Sequence, residues 1–438
     1  MVETPDKLTV EDDYENPLLP GEKISFHSET PPANASDEEL NRRYAKGEVR
    51  IVTESARYSL AGILSMLKEK IATNDKSETE YRYRLDPEYQ RRHRWSIDRK
   101  SRLIESFLMN VPVPPIFLYE RELARYEVMD GRQRLTALKE FYDNQYKLEG
   151  LQYWPELNGR LYKNLPDKIR DGIDRRYISA IILLQETAPT KEQATKLKKI
   201  VFERLNSGGV KLEGQETRNA VYDGPLNQLC VDLSKNETFR KFWNFPDISP
   251  EEEDKEDENN YEEDPHTKDS KSLKWFKQMG DVELVLRFFA YRQLDSFPSG
   301  LNKMAEMLDR FIVEGNKFPE ELLTNYRQMF LQTISFLSET LGESPYYRLD
   351  SSGNPQQQRN KIIYDPVMYV ASQYAQSEQR NLLIENKDEL LKQLGKMYKD
   401  NDNIFGGRKT NKSDAKKRNE LMKQAFVDTI ELIAKKGQ

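Results

Sequence analysis

The sequence predicts an α+β fold in the N-terminal half, followed by an all-α domain. Three observations predict it. Apolar residues fall with period two in 116–119 and 126–129, the pattern of short strands. After Asp130-Gly131 the period changes to about 3.6, with Leu135, Leu138 and Phe141 on one stripe, the pattern of an amphipathic helix. From Leu273 onward only helical stripes recur.

Residues 1–48 are polar, rich in Pro, Asn, Ser and Glu, and without a sustained apolar period, so they read as a disordered acidic tail. Order begins at Val49-Arg50-Ile51-Val52. Ser59 is the expected N-cap of a helix that buries Leu60, Ile63, Leu64, Leu67 and Ile71. A short strand is expected over 81–85. Ser96 caps the next helix, with Asp98 in its first turn and Ile97, Ile104, Phe107 and Leu108 inward. The run Val111-Pro112-Val113-Pro114-Pro115 stops it. The β-branched run 176–184 is a buried strand. Residues 191–205 form a helix that ends at Asn206-Ser207-Gly208-Gly209, where glycine accepts a positive φ.

The first domain thus spans 49–249, and an acidic linker over 250–270 separates it from a helical domain over 271–438. The helical stripes are Val282, Leu284, Val285, Phe288 and Phe289; then Leu322, Tyr326, Phe330 and Ile334; then Ile363, Val367, Tyr369 and Val370; then Leu421, Phe426, Ile430 and Ile433.

Composition narrows the chemistry. The length of 438 residues suits two or three domains at roughly 150 residues each. A single cysteine, Cys230, excludes an internal disulfide and fits a reducing compartment. The three histidines, His27, His93 and His266, together with that one cysteine exclude a Cys/His zinc site, and a His-Asn-His nuclease after residue 266 is excluded too. A carboxylate-only magnesium site is not. No apolar run reaches the roughly 20 residues that a bilayer span needs, and the polar N-terminus is no signal peptide. The expectation is a cytoplasmic protein with no membrane partner.

Net charge is −6, yet it is unevenly spread. Residues 251–264 hold ten acidic residues and one lysine, whereas 81–102 hold eight Lys/Arg against three acids. The acidic block reads as a self-repelling linker. The basic stretch Gly407-Arg408-Lys409-Thr410-Asn411-Lys412 through Lys416-Lys417-Arg418 reads as a solvated helix face, with a DNA-backbone track as its alternative.

Three clusters carry chemistry. The first is Asp130-Gly131-Arg132-Gln133-Arg134, between the strand 126–129 and the helix from Leu135. Such a turn places backbone N–H groups and a helix dipole where an anion binds. Gly131 admits a close phosphate, Arg132 and Arg134 pair its oxygens, and Asp130 holds a magnesium ion or orients a water. The plainer alternative is an ordinary Asp-Gly turn with solvated arginines. The second cluster runs from Phe202 through Arg204, Asn206, Ser207, Gly208 and Gly209 to Arg218 and Asn219; its plain reading is a helix C-cap and linker. The third is Pro87-Glu88-Tyr89-Gln90-Arg91-Arg92-His93-Arg94-Trp95, where arginines interleaved with aromatics suit phosphate plus base stacking, or else a basic edge with Trp95 as a core anchor.

Together these clusters resemble the N-terminal domain of GmrSD-type restriction enzymes, which is related to the ParB and sulfiredoxin-like fold. The matching residues are Pro87, Tyr89-Gln90-Arg91 and Trp95; Leu103 to Ser106 with Pro112 to Pro115; Tyr126 to Gly131 with Gln133-Arg134-Leu135; and Phe202 through Asn219, so the resemblance covers about 50–225. It implies nucleoside triphosphate binding and hydrolysis in defence against foreign DNA. By that resemblance Asp130, Gln133 and Arg134 are the catalytic set, with Asp130 on the metal. Tyr89, Gln90, Arg91, Gly131, Arg132, Arg204, Asn206, Ser207, Gly208, Gly209 and Arg218 would bind the nucleotide. The family motif usually reads Asp-Gly-Gln-Gln-Arg, and Arg132 stands here in place of its first glutamine. An added cation strengthens phosphate binding and weakens the case for hydrolysis.

The leading expectation is a magnesium- and nucleoside triphosphate-binding protein, with DNA and a separate nuclease subunit as further partners. The alternatives are a non-enzymatic DNA-binding adaptor that recruits a nuclease, and a metal-dependent nuclease of ParB-like type.

Overall fold

The computed structural model describes residues 18–24, 36–46, 51–72, 79–85, 95–184, 190–206, 214–246, 268–297, 304–406 and 411–436. In chain order the elements are α1 (Asp37–Lys46), β1 (Thr53–Ser59), α2 (Ile63–Lys68), β2 (Lys70–Ala72), β3 (Thr79–Tyr81), β4 (Tyr83–Arg84), α3 (Ile97–Leu108), β5 (Ile116–Glu122), β6 (Arg125–Asp130), α4 (Arg132–Tyr142), α5 (Asp167–Asp174), β7 (Tyr177–Leu183), α6 (Lys191–Asn206) and α7 (Gly214–Val221). Then come α8 (Pro225–Ser234), α9 (Glu237–Trp243), α10 (Lys268–Lys277), α11 (Gly280–Tyr291), α12 (Met304–Gly315), α13 (Glu320–Leu341), β8 (Tyr347–Leu349), β9 (Pro355–Arg359), α14 (Lys361–Tyr374), α15 (Arg380–Glu385), α16 (Lys387–Asp400), α17 (Asp402–Phe405) and α18 (Lys412–Lys436). The fold is therefore α+β first and helical afterwards, as the periodicity predicts.

Two compact units result. One comprises Glu29–Asp223 with Pro246–Gly280, the other Met1–Ser28, Gly224–Phe245 and Asp281–Gln438. The helices α8 and α9 thus group with the C-terminal helices, ahead of the acidic block, whereas the sequence places them in the first domain. Their faces are apolar almost throughout: Leu226, Leu229, Cys230, Leu233, Phe239, Phe242 and Trp243 are all buried.

The α+β unit is built on one five-stranded sheet in the order β1-β7-β5-β6-β4. The β1–β7 and β5–β6 pairs are antiparallel, and β7–β5 and β4–β6 are parallel. On one face Ile116, Leu118, Val128, Ile178, Ala180 and Ile182 meet Leu60, Ile63 and Leu67, Ile104 and Phe107 of α3, and Leu135, Leu138 and Phe141 of α4. The sheet coils far enough that Tyr58 on one edge strand meets Tyr83 on the other, with ring centroids 5.9 Å apart.

Several local expectations change. Residues 53–59 form an edge strand that the alternation missed, because its sequence is polar and one of its faces is exposed. Ser59 does cap a turn, accepting from the Gly62 N–H, but α2 is only six residues long and ends before Ile71, which lies half-buried in β2. Ser96 stands at the N-cap of α3 without a capping side-chain bond.

In the helical unit the stripes on α11 and α13 are buried as read, together with Ile363, Val367 and Val370 on α14. On α18 the buried set is Ala415, Arg418, Met422, Ala425, Phe426 and Thr429, so of the expected Leu421, Phe426, Ile430 and Ile433 stripe Phe426 is buried and the other three are half-buried. The β8–β9 hairpin interrupts the run of helices; Asp350 closes its turn by accepting from the Ser352 and Asn354 N–H groups. The disordered-tail reading fails for 18–24. Glu22 and Ile24 are buried, and Glu22 is paired with Arg292.

Candidate functional site

The strand–turn–helix unit lies where the motif places it. β6 delivers Asp130 opposite Phe117 of β5, and Gly131 turns the chain into α4 with φ 94°. Only glycine fits there. Besides the left-handed backbone, a Cβ would stand 2.5 Å from Ile116 Cγ2 and 3.0 Å from Arg134 Nη2. With glycine at the N-cap, no side chain caps α4, and the first-turn N–H groups of any helix lack intrahelical acceptors.

Arg134 folds back on this turn. Its Nη2 donates to Asp130 Oδ2 at 2.7 Å and to the Pro115 carbonyl at 3.3 Å. The guanidinium is 13% exposed and the Asp130 side chain 36%, so the acid faces solvent while its partner is sunk beneath it. Asp130 Oδ1 takes no hydrogen bond from the described residues. Arg134 is thus engaged as the strut that orients Asp130, rather than reaching out as a clamp. Gln133 Oε1 accepts from the Trp95 N–H at 3.2 Å, and the Arg99 guanidinium lies 4.7 Å from the Trp95 ring centre. Gln133 thereby ties the turn to the start of α3.

Two features escaped the motif reading. The Pro115 carbonyl is one. The other is Lys198 on α6, whose Nζ lies 2.8 Å from Glu127 Oε2 and 5.3 Å from the centre of the Tyr119 ring. Both members of that ion pair are buried. Burial first, and then the Glu127 carboxylate, push the Tyr119 hydroxyl above its ordinary pKa. The pair pins α6 to β6 three residues before Asp130. A lysine on the stripe of Ala194, Leu197, Val201 and Phe202 was its signal in the sequence.

The remaining predicted residues fall apart into groups. Arg204 is exposed in the last turn of α6, which ends at Asn206. Arg218 is buried on α7 and donates to Gln215 Oε1 at 3.2 Å; Gln215 in turn donates to Asn219, and Asn219 to Met279 Sδ. This network holds α7 in place, so Arg218 sits within the protein interior. Tyr89, Gln90, Arg91, Ser207, Gly208 and Gly209 lie outside the described residues.

Charge is locally balanced in each of the two basic stretches. Within 81–102 the described cations are Arg82 with Glu69, Arg84 with Asp223, Arg99 on Trp95, Lys100 with Glu140 and Arg102 with Asp98. In the basic stretch near the C-terminus, Lys412 donates to the Asp295 and Phe297 carbonyls and Lys416 pairs with Asp295. Among the described residues no three His, Cys, Asp or Glu side chains cluster as a metal cage, and no helix is long and apolar enough to cross a membrane.

Residues 68–222 match the family described as GmrSD restriction endonuclease, N-terminal domain. No curated protein and no solved structure matches the chain.

Proposed function

We propose, from the premise that residues 68–222 are a GmrSD-type N-terminal domain, that this protein binds a nucleoside triphosphate at the β6–α4 turn and serves in restriction-type defence against foreign DNA. The observation that carries the reading is the pairing of a glycine-only turn with a solvent-facing Asp130 oriented by a sunken Arg134. A turn kept merely for connectivity has no need of an acid held in one orientation from below.

The α4 N-terminus and Arg132 in its first turn attract the phosphates. Arg204, Asn206, Ser207, Gly208 and Gly209 are a second set of candidate phosphate contacts, with Tyr89, Gln90 and Arg91 for the base and ribose. Gln133 acts through Trp95 as a brace. Arg218 supports α7 from within.

The donor set suits magnesium in one form. A single carboxylate, Asp130, is typical of a magnesium ion held mainly by waters and substrate phosphates rather than by a protein cage. Bound there, the ion would neutralise phosphate charge. Phosphoryl chemistry of this kind rests on positioning and charge stabilisation. With Arg132 in place of the family's glutamine, the site favours holding the triphosphate over cleaving it.

The test is phosphate release from the four common nucleoside triphosphates with magnesium, with and without DNA, comparing the wild type with Asp130→Ala. Turnover that Asp130→Ala abolishes supports the reading, and stimulation by DNA names the effector. Magnesium-dependent nicking of plasmid that Asp130→Ala removes would instead favour the nuclease. Neither binding nor turnover, with DNA retained, would favour the adaptor that recruits a nuclease subunit.

A further inference from the structure

The helical unit contains a second built site, far from the phosphate chemistry in sequence. Its walls are the turn after α11, which carries Arg292 and Gln293, and α13, and its occupant comes from the N-terminal segment 18–24. Arg292 Nε donates to Glu22 Oε1 at 2.6 Å and Nη2 donates to Glu22 Oε2 at 2.9 Å, a two-pronged grip on one carboxylate. Gln293 Nε2 donates to the Glu22 carbonyl at 2.6 Å. The guanidinium is 2% exposed and the carboxylate 0%. Ile24 is buried beside them.

The occupant carries its own shape. Leu19-Pro20-Gly21-Glu22 is a turn closed by Glu22 N–H to Leu19 carbonyl at 2.9 Å, with Gly21 at φ 79°. Proline at the second position and glycine at the third are the residues such a turn demands. The Leu19 N–H also donates to Glu22 Oε2 at 2.6 Å. Both of these bonds are internal to the segment, and a turn that holds them by itself docks at a lower entropic cost.

The receptor is not saturated by this occupant. Gln293 Oε1 is buried without a hydrogen-bond partner among the described residues. Burial and then the neighbouring Glu22 carboxylate hold the Tyr326 hydroxyl above its ordinary pKa. A buried ion pair is a poor source of stability compared with hydrophobic packing, and this one, unlike Lys198–Glu127, takes both guanidinium prongs and a neighbouring amide onto one residue. A bidentate guanidinium with a neighbouring amide is instead a recognition geometry.

We propose that Arg292 and Gln293 form a receptor for an acidic turn peptide, filled in cis by residues 18–24, from which the chain's own Leu19–Glu22 turn detaches as a unit. Detachment leaves a carboxylate-specific site on the helical unit open to a second acidic turn of the same chemistry. The tethered turn competes at the high effective concentration of an intramolecular ligand. A free peptide therefore enters only when the tethered turn is weakened.

The test uses the full chain with Glu22→Arg, whose own turn is repelled by Arg292, and a labelled peptide spanning residues 15–28. The expected result is saturable binding to the variant, at least tenfold weaker for the same peptide carrying Glu22→Gln, and at least a hundredfold weaker to the wild-type chain. Equal binding of the two peptides, or none to the folded variant, overturns the proposal. Hydrogen exchange on the wild-type chain provides a second arm that needs no variant. Exchange of the Glu22 and Ile24 amides ahead of the α11 core amides agrees with detachment, and exchange only together with that core overturns it.

Discussion

Two arginine–carboxylate pairs in this protein have the same chemistry and opposite surroundings. Arg134–Asp130 lies at the rim of the α+β unit, with side chains 13% and 36% exposed, whereas Arg292–Glu22 is sealed in the helical unit at 2% and 0%. The rim pair keeps its acid in contact with solvent, so the acid remains available to a ligand. While the Glu22 turn is docked the sealed pair has no such freedom, and each partner there depends on the other for its charge to be tolerated. The rim pair holds a solvent-facing carboxylate in one orientation, and the sealed pair holds an N-terminal segment of chain against the helical unit.

The largest expected effect breaks the sealed pair. Arg292→Met strands the Glu22 carboxylate, and the helical unit should lose about 3–5 kcal/mol. That corresponds to a fall of roughly 10 °C or more in its thermal midpoint. Adding Glu22→Met should recover much of the loss, because removing both charges avoids the stranded one; thermal denaturation of the single and double variants measures this. Next comes Asp130→Ala, for which phosphate release should fall about 10²–10³-fold, by analogy with loss of a preorganised electrostatic group, while the melting temperature hardly moves. Gly131→Ala follows. Left-handed backbone and the Ile116 contact together should cost about 1–3 kcal/mol, visible in urea denaturation. Arg134→Ala at the rim should likewise cost little stability, no more than about 1 kcal/mol. If instead Arg134→Ala destabilised the fold as much as Arg292→Met does, the contrast between the two pairs would collapse.

Arg132→Gln sharpens the functional side of the comparison. It places next to the oriented acid the first glutamine of the Asp-Gly-Gln-Gln-Arg motif that this turn resembles. Triphosphate affinity should weaken several-fold, on the order of 1 kcal/mol for one half-buried cation, while turnover per bound nucleotide rises. Titration calorimetry and phosphate release read the two quantities separately.

Much of this was legible in the sequence, and the reasons it was not elsewhere are physical. The β6–α4 unit announced itself because the hydrophobic period changes at Asp130-Gly131, and a period change is a local signal. Strand β1 did not, because Thr53–Ser59 pairs with β7 through its backbone and leaves a polar face outside. The role of Arg134 was misjudged in direction. Its spacing from Asp130 allows either an outward clamp or an inward strut, and only the position of the Pro115 carbonyl decides between them. Arg218 was read as a contact residue from its place after the Gly208-Gly209 turn, yet α7 turns it inward onto Gln215. Glu22 was least visible of all. One acid in a polar stretch carries no period, and its partner lies 270 residues away.

The central claim is that the Asp130–Arg134 turn binds a triphosphate, and direct titration tests it best. Each of the four common nucleoside triphosphates, with magnesium, is titrated into the full-length wild type and into Arg134→Ala. The account predicts magnesium-dependent binding of at least one of them, weakened tenfold or more when the strut beneath Asp130 is removed. Binding that Arg134→Ala leaves untouched would contradict it, and would return the turn to an ordinary connection between a strand and a helix.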